Sequence, residues 1–422
     1  MGLRSWWAAR HERKGSVQLI ASADDLEAYL LGTFPISKSG QQVNYKTAMQ
    51  ACTAFACARV IADGISQIPL KLFRKAGANR GPAESHPLYD LLYASPNEWQ
   101  TAYEFMNQVG FHLVFCGNAF VWKNRVRGEI RELLPFEPQW VTVDRTGWEL
   151  TYKVSTDEGK YYEIPASEMW HIRGPSWNGW MGLEGVKLAR ESIGLAMALD
   201  EHGARQFQNG ATLSGILTTD AQLTDEARAK LRESWQARHA GSKNAFKTAV
   251  LWGGMKWQPM GTPNDQAQFI ESRNYQVEDV CRNFNVLPIM VGHSDKAATY
   301  ASAEVMFQQH QTKTMHPWYS LVTGSANKNL LTPQERRAGY YFKFVVNALM
   351  YASAKDRAEY WWKLYQMGAL NPNEIREFDE MNPYDGGDKF YRPQNMQDVN
   401  EPAPDPGGGG QDNGQNPVFP HR

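Results

Sequence analysis

The chain has 422 residues, of which 42% are hydrophobic, and its formal net charge is -1. A chain of this length can bury a large core in two to four compact units. The near-neutral charge argues against a general electrostatic attraction to nucleic acid, and no apolar run of about eighteen residues indicates a membrane span. The four cysteines, Cys52, Cys57, Cys116 and Cys281, lack metal-ligand spacing and are typical of buried thiols in a reducing compartment.

The first part of the chain changes from an irregular to a helical pattern. Residues 1–43 cluster Gly, Pro and Ser before any regular pattern, and we expect an extended arm there. Small and apolar residues dominate 47–67, with Ala51, Ala58 and Ala62 on one stripe of a predicted helix. Small side chains let helix axes approach closely, so we expect this helix to be deeply packed. The next predicted elements are a strand at 68–72 and helices at 86–95 and 100–114.

Short apolar runs follow one another between residues 119 and 173. Gly128, Gly147 and Gly159 supply turns between them. The spacing is that of hairpins, which predicts an antiparallel, β-rich module.

The first long amphipathic pattern spans 184–209, where Ile193 and Met197 recur at helical spacing between charged residues. Such a helix is about 40 Å long at ~1.5 Å per residue. Residues 213–261 follow as an insert in which short strands flank a helix, and Thr224 is the predicted N-cap of that helix. The insert is mildly basic, and we interpret its lysines and arginines as a solvated face.

A second long helix is predicted at 265–285. The apolar residues that share one of its faces are Val277, Val280 and Phe284. Pro288 ends the regular pattern, and a polar loop precedes a further helix that begins at Thr299. Because proline disrupts a helix interior, we expect Pro317 to interrupt this helix.

The C-terminal part contains a predicted strand at 340–346 and a helix at 353–367. Asn371 and Pro372 then mark the start of a second helix, as an N-cap followed by proline in the first turn. From residue 393 the chain loses its hydrophobic residues, so we expect a disordered tail.

Residue types that carry catalysis or bind cofactors are not grouped in the sequence. It contains neither a GxxxxGK[ST] nor a GxGxxG motif. His310 and His316 are six residues apart, which does not place them as metal ligands on one helix face. Asp144 with Asp157 or Glu158 falls on predicted strand ends and turns, where carboxylates are common. We therefore predict no enzymatic activity, no cofactor and no metal site.

Tryptophans supply the strongest alternative. Trp170, Trp177 and Trp180 lie near His171 and Arg173, and they form either a carbohydrate-stacking platform or ordinary core and interface aromatics. The first reading implies a polysaccharide-binding or polysaccharide-degrading protein with a Trp-lined cleft, acting as a monomer or dimer.

Several short motifs occur in a particular order along residues 45–395. Among them are LLP at 133–135, MWHIRG at 169–174, GLEGV at 182–186, FQNGA at 207–211, GILT at 215–218, FIE at 269–271, FNVLP at 284–288 and LNPNEIR at 370–376. Each motif is weak alone. In this order, they resemble the portal proteins of long-tailed bacteriophages.

The resemblance implies an α+β portal fold with a β-rich wing, two long stem helices, a small α/β clip and a helical crown, assembled as a ring that is usually dodecameric. The implied regions are an N-terminal arm (1–43), wing (44–183), stem helix 1 (184–212), clip (213–262), stem helix 2 (263–286), tunnel loop (287–300), long helix and return to the wing (301–351), crown (352–395) and disordered tail (396–422).

The resemblance also implies a function without chemistry of its own. Portal rings stand at one capsid vertex and conduct double-stranded DNA during packaging, retention and ejection. The implied partners are the terminase large subunit, the head-tail connector, the major capsid protein and the scaffold, and no membrane. The protein is expected in the virion after assembly in the host cytoplasm.

Three sets of candidate residues follow from the resemblance. The residues expected to reach DNA are His293, Lys296 and Tyr300. The residues expected to dock the terminase or the tail connector are Lys243, Lys247 and Trp252. The residues expected to pack the stem are Ile193, Met197, Val277, Val280 and Phe284.

Overall fold

The computed structural model describes residues 36–77, 79–155, 160–208, 215–218, 224–227, 229–230, 233–234, 256–259, 263–293, 300–345, 354–378 and 381–391. The chain divides into two units, Met1–Val345 and Val346–Arg422. The first combines helices with antiparallel strands, so the predicted α+β class is correct.

The helices are numbered in chain order within the described residues. They are α1 (Tyr45–Gln50), α2 (Cys52–Ser66), α3 (Pro87–Tyr93), α4 (Ala102–Cys116), α5 (Gly185–Leu188), α6 (Arg190–Gln208), α7 (Pro263–Phe284), α8 (Tyr300–Gln309), α9 (His316–Asn329), α10 (Pro333–Arg337), α11 (Ala354–Gln366) and α12 (Pro372–Phe378). Local sequence sets several boundaries. Thr101 and Glu104 form a capping box at the start of α4, and Gly117 ends it with a φ of 67°.

Helix α2 packs as the sequence predicts. Ala58, Ala62 and Ile65 are fully buried, and α4 crosses them closely. A Cβ placed on Gly110 of α4 would lie 2.7 Å from the Cα of Ala62. Two helix backbones can come this near only where side chains are minimal, so the small residues of both helices determine the crossing.

The strands form small antiparallel sheets, as predicted for the central module. They are β1 (Leu70–Ala76), β2 (Asn79–Pro82), β3 (Asn118–Val126), β4 (Glu129–Phe136), β5 (Val141–Thr146), β6 (Glu149–Ser155), β7 (Tyr161–Pro165), β8 (Met169–Arg173), β9 (Gly215–Thr218), β10 (Lys256–Pro259) and β11 (Tyr340–Phe344). The strand orders are β11-β1-β2, β4-β3-β8, β5-β6-β7 and β10-β9. Phe120, Phe136 and Met169 share one core with Val154 and Ile164, so the second and third sheets bury their apolar faces together.

The described end of the predicted extended arm is folded. Ile36 and Gln42 form a β-bridge, and the Ser37 N–H donates to the Gln41 carbonyl at 2.8 Å. This turn lies against α6, where the Lys38 N–H donates to Glu191 at 2.9 Å and Ser37 occupies the space that a Cβ at Gly194 would need. The expectation of an extended chain is therefore wrong for 36–43. The turn packs against α6 because Gly194 has no side chain to exclude Ser37.

The predicted interruption at Pro317 is also wrong. A π-helical turn, His310–Met315, joins α8 to α9 without a break. Proline disrupts a regular α-helix because its ring clashes with the carbonyl four residues earlier. The wider π-turn ends two residues before Pro317 and lets the helix continue through it.

The second unit contains α11 and α12 among its described residues. Asn371 caps α12 as predicted, accepting the Glu374 N–H at 2.9 Å. The Trp361 ring stacks on Phe378 with centroids 5.7 Å apart. The predicted disordered tail, 396–422, lies outside the described residues.

Replacing Gly110 tests the crossing of α2 and α4. We expect Gly110→Ala to destabilise the protein by roughly 1–3 kcal/mol, because the added methyl group must displace the Ala62 backbone. Gly324→Ala is the matched control, since Gly324 is exposed on α9 and no atom lies within 4 Å of an added Cβ. It should be neutral or stabilise by up to about 1 kcal/mol. Thermal unfolding measures both, and equal effects would contradict the crossing.

Candidate functional site

The segment that leads into the first long helix, α6, starts at a close crossing of backbones. A Cβ on Gly182 would overlap the carbonyl oxygen of Gly117, and one on Gly185 would overlap that of Val114. Asn118 holds the crossing in place, because its Oδ1 accepts the Gly182 N–H at 2.7 Å and its Nδ2 donates to the Gly182 carbonyl at 3.2 Å. The glycines therefore fix where the segment leading to α6 leaves the β-rich module.

His171 belongs to the same buried network. Its Nε2 lies 3.0 Å from Asn118 Oδ1, and its Nδ1 lies 3.1 Å from the Tyr152 hydroxyl. Burial, reinforced by the positive charge of Arg173, lowers the pKa of His171 to about 3. The ring is therefore neutral near pH 7 and holds strands together.

The three tryptophans of the carbohydrate hypothesis do not share one surface. Trp170 is completely buried, and its indole N–H donates to Ser325 at 3.0 Å. Trp177 is 91% exposed, whereas Trp180 is half-buried. With Trp170 sealed in the core, these residues do not line a common cleft.

Helices α6 and α7 run antiparallel, side by side. Near the start of α6, the Ser192 hydroxyl donates to Asp279 at 2.5 Å, and its carbonyl accepts from Gln276 at 2.7 Å. Farther along α6, Asp200 pairs with Arg273 at 2.5 Å. The polar pairs keep the helices in register over this part of their length.

The predicted stem residues divide into two groups. Ile193, Val280 and Phe284 are buried, while Met197 and Val277 are half-buried. Phe284 packs edge-on against Phe115 of α4, with centroids 6.4 Å apart. The C-terminal part of α7 therefore buries apolar surface against the body that α2 and α4 form, as well as lying beside α6.

The chain after α7 turns sharply. Asn285 has a φ of 54°, which ends the helix in the left-handed region. Its carbonyl accepts the Thr314 hydroxyl at 2.8 Å, which ties the turn to the π-helical segment. A short 3-10 helix, Pro288–Val291, and Gly292 with a φ of 79° follow.

A half-open cleft of about 300 Å³ lies at this turn, between the end of α7 and the π-helical segment. Its lining residues are Glu278, Cys281, Arg282, Asn285, Val286, Leu287, Pro288, Gln309, Lys313 and Thr314.

Two of the three predicted DNA-contacting residues border residues 294–299, which lie outside the described residues. His293 is half-buried and is the last described residue before the loop, and Tyr300 opens α8. Lys296 lies outside the described residues. The structure thus describes the burial of His293 and the backbone conformation of Tyr300.

The π-helical segment, which follows α8, is anchored on α2. Met315 is fully buried, and a Cβ on Gly64 of α2 would lie 2.5 Å from its Cε. The Tyr319 hydroxyl donates to the Gly64 carbonyl at 3.0 Å. His310 is also buried, which lowers its pKa. The end of α7 and the π-helical segment therefore both pack against the helices α2 and α4.

The predicted docking residues Lys243, Lys247 and Trp252 lie outside the described residues. Within the insert, the structure describes the antiparallel pair β9 and β10. Thr224 accepts the Ala227 N–H at 3.3 Å, which agrees with its predicted role as an N-cap.

Among the described residues, no group of three or more His, Cys, Asp or Glu side chains could hold a metal ion. None of the described helices has the length and apolar character that crossing a bilayer requires.

The family model for the phage portal protein matches residues 52–380, a range that contains both long helices, the loop and the cleft. The chain belongs to the phage portal protein family. The polysaccharide alternative is not supported.

Relatives of this portal-family chain occur in two phages. The probable portal protein of Streptomyces phage phiC31 is 28% identical over 398 residues, covering 90% of this chain and 85% of the relative. The portal protein of Enterobacteria phage HK97 is 28% identical over 372 residues, covering 85% of this chain and 86% of the relative.

Solved structures share the portal fold. A chain from the virion of a native gene transfer agent particle superposes with a TM-score of 0.57 at 19% identity, covering 91% of this chain and 100% of that one. An HK97-family phage portal protein from Corynebacterium diphtheriae gives 0.52 at 18% identity, covering 73% and 98%.

Sequence reasoning missed the residues that join the end of α7 to the π-helical segment in this portal-family chain. Thr314 and the left-handed Asn285 form the link between the helices. Asn285 carried a usable signal, because Asn directly after a helical pattern, with Pro288 three residues later, is typical of a left-handed helix end. Thr314 carried none, since its partner is 29 residues away.

The His171 network predicts a specific dependence of stability on pH. The unfolded chain takes up a proton near the ordinary pKa of 6.5, whereas the folded pKa is about 3. Protons therefore bind the unfolded state preferentially as the pH falls below 6.5, and this contribution to stability is lost progressively down to about pH 3. We expect His171→Gln, which removes the titrating ring, to flatten the loss between pH 6.5 and about 5.

Melting temperatures across this pH range measure the slope. His316→Gln, at a histidine exposed on α9 outside the network, measures the effect of the same replacement elsewhere in the chain. An unchanged slope in His171→Gln would remove His171 as the titrating group.

Proposed function

We propose that this portal-family chain forms a ring-shaped conduit for double-stranded DNA at one capsid vertex, for genome packaging, retention and ejection. The observation that carries the proposal is that the chain leaves α7 and returns to the same place after α8, because the Asn285 carbonyl at the end of α7 accepts the Thr314 hydroxyl of the π-helical segment at 2.8 Å. A loop held in this way can reach into a bore while the body behind it stays fixed. Family membership over residues 52–380 supports the same function.

The regions of the chain take portal roles in order. In this proposal, 44–183 is the wing, 184–212 and 263–286 are the stem, and 213–262 is the clip. Residues 287–300 are the tunnel loop, 301–351 the long helix and return to the wing, and 352–395 the crown. The antiparallel pairing of α6 with α7 supports the stem assignment, since a hairpin of helices must return the chain from a distal clip.

Exposed apolar residues on the stem support ring assembly. Leu195 on α6 is 45% exposed, and Ile270 and Tyr275 on α7 are 60% and 58% exposed. Neighbouring copies would cover them through two different patches per subunit, as a closed ring requires. A gene transfer agent neck of similar fold, with a TM-score of 0.55, was computed with C12 symmetry, which supports twelve copies.

The near-neutral charge suits a conduit. DNA must move past the protein, so contacts with phosphate should be weak and independent of sequence, whereas a dense cationic lining would hold the DNA. We assign these contacts to His293, Lys296 and Tyr300.

The proposed partners follow the regions. The clip, with Lys243, Lys247 and Trp252, would dock the terminase large subunit during packaging and the head-tail connector afterwards. The wing and crown would meet the major capsid protein and scaffold. Assembly in the host cytoplasm would place the protein in the virion, where it performs no chemistry itself.

Replacing residues 293–299 with Gly and Ser tests the conduit. We expect rings of unchanged size in negative-stain images, because α7 and α8 keep their anchors, together with reduced DNA retention in packaging assays. A wild-type chain that forms no ring would overturn the proposed function. Collapse of the variant ring would show that the loop holds subunits together instead.

Charge reversal tests docking at the clip. We expect Lys243→Glu with Lys247→Glu to weaken terminase binding by about tenfold, because two favourable charge contacts become repulsive. Lys230→Glu is the control, an exposed lysine in the same insert, and should bind as wild type. Unaltered binding by the double variant would remove both lysines from the docking surface.

A further inference from the structure

Two thiols lie side by side where α7 packs on α2. The sulfurs of Cys57 and Cys281 are 3.7 Å apart, although the residues are 224 positions apart in the chain. Both residues have no exposed surface. Cys52 is exposed and Cys116 is half-buried, and Cys57 and Cys281 are the pair whose sulfurs are in contact.

The two thiols have different characters. Either thiol can donate to the other across this contact, and the hydrogen bond, together with burial, raises the pKa of Cys57. The same bond lowers the pKa of Cys281, against burial and the negative charge of Glu278. Cys281 also lines the cleft at the end of α7, whereas Cys57 does not, so Cys281 is the thiol that an oxidant in the cleft meets first.

The cleft at the end of α7 borders one residue of the pair. Cys281 lies on the cleft wall, beside Arg282 and Lys313. Because neither cysteine is open to bulk water, an oxidant must be small, and neighbouring side chains must move aside to admit it.

We propose that Cys57 and Cys281 are a redox-convertible pair, which a peroxide oxidises to a disulfide that joins α7 covalently to α2. The Cys281 sulfur attacks one peroxide oxygen, the O–O bond breaks, and the other oxygen leaves as water, giving a sulfenic acid. Cys57 then attacks that sulfur, the S–S bond forms, and the sulfenic oxygen leaves as a second water. Two thiols and one peroxide thus become one disulfide and two waters.

The geometry suits this reaction. A disulfide has sulfurs about 2.05 Å apart, so the present separation of 3.7 Å must shorten by about 1.65 Å. The bond would fix the C-terminal part of α7, from which the loop departs. The oxidation of the two thiols does not depend on the proposed conduit function. Only the time at which it occurs rests on that function, because thiols stay reduced in a cytosol and would oxidise in released particles.

The test uses the full-length Cys52→Ser, Cys116→Ser chain, in which only the proposed pair remains. After treatment with hydrogen peroxide, we expect mass spectrometry to show the loss of two hydrogen atoms and a linked peptide containing both cysteines. Dithiothreitol should reverse the change. The oxidised protein should melt about 5 °C above the reduced protein, because the crosslink closes a long loop.

Adding Cys281→Ala to this background gives the control, which should show neither the link nor the rise in melting temperature. Two outcomes in the wild-type protein would overturn the proposal, and neither depends on whether a variant folds. One is a pair of intact thiols at 57 and 281 after exposed Cys52 has been fully oxidised. The other is a sulfinic or sulfonic acid on Cys281 beside an unreacted Cys57.

Discussion

Close packing against the small-residue face of α2 is the constraint on which the first unit depends. Three neighbours meet it where large side chains would keep them away: α4 at Ala62, α7 at Cys57 and the π-helical segment at Gly64. Dispersion attraction weakens when packed atoms separate by a fraction of an ångström, so a larger side chain at any of these crossings would cost packing energy. A single helix thus determines where three others can lie.

This arrangement explains why the loop after α7 has defined ends. Its first end follows Asn285, whose carbonyl is bound by Thr314, and its second end leads through α8 to the buried Met315. Both connections return to the same body. A proposed tunnel loop needs this property, because force exerted by moving DNA on the loop must be taken up by the packed helices rather than by the loop itself.

The buried polar groups of this portal-family chain serve structure. His171, Asn118 and Tyr152 satisfy one another inside the β-rich module, and together with the glycine crossing they fix the departure of the segment leading to α6. A neutral histidine in such a network orders the fold, since a buried polar atom left without a partner costs free energy. A sequence search for catalytic residues notices the same histidine for its residue type alone.

The sequence by itself determined the α+β class, the deeply packed α2, the antiparallel module, the N-caps at Thr224 and Asn371, and the order of motifs that indicates the portal family, because periodicity, caps and turns act over a few residues. Only the tertiary structure decided that 36–43 folds onto Gly194, that the helix continues through Pro317, and that Cys57 meets Cys281. These depend on contacts between distant segments, whose geometry leaves no local pattern in the chain.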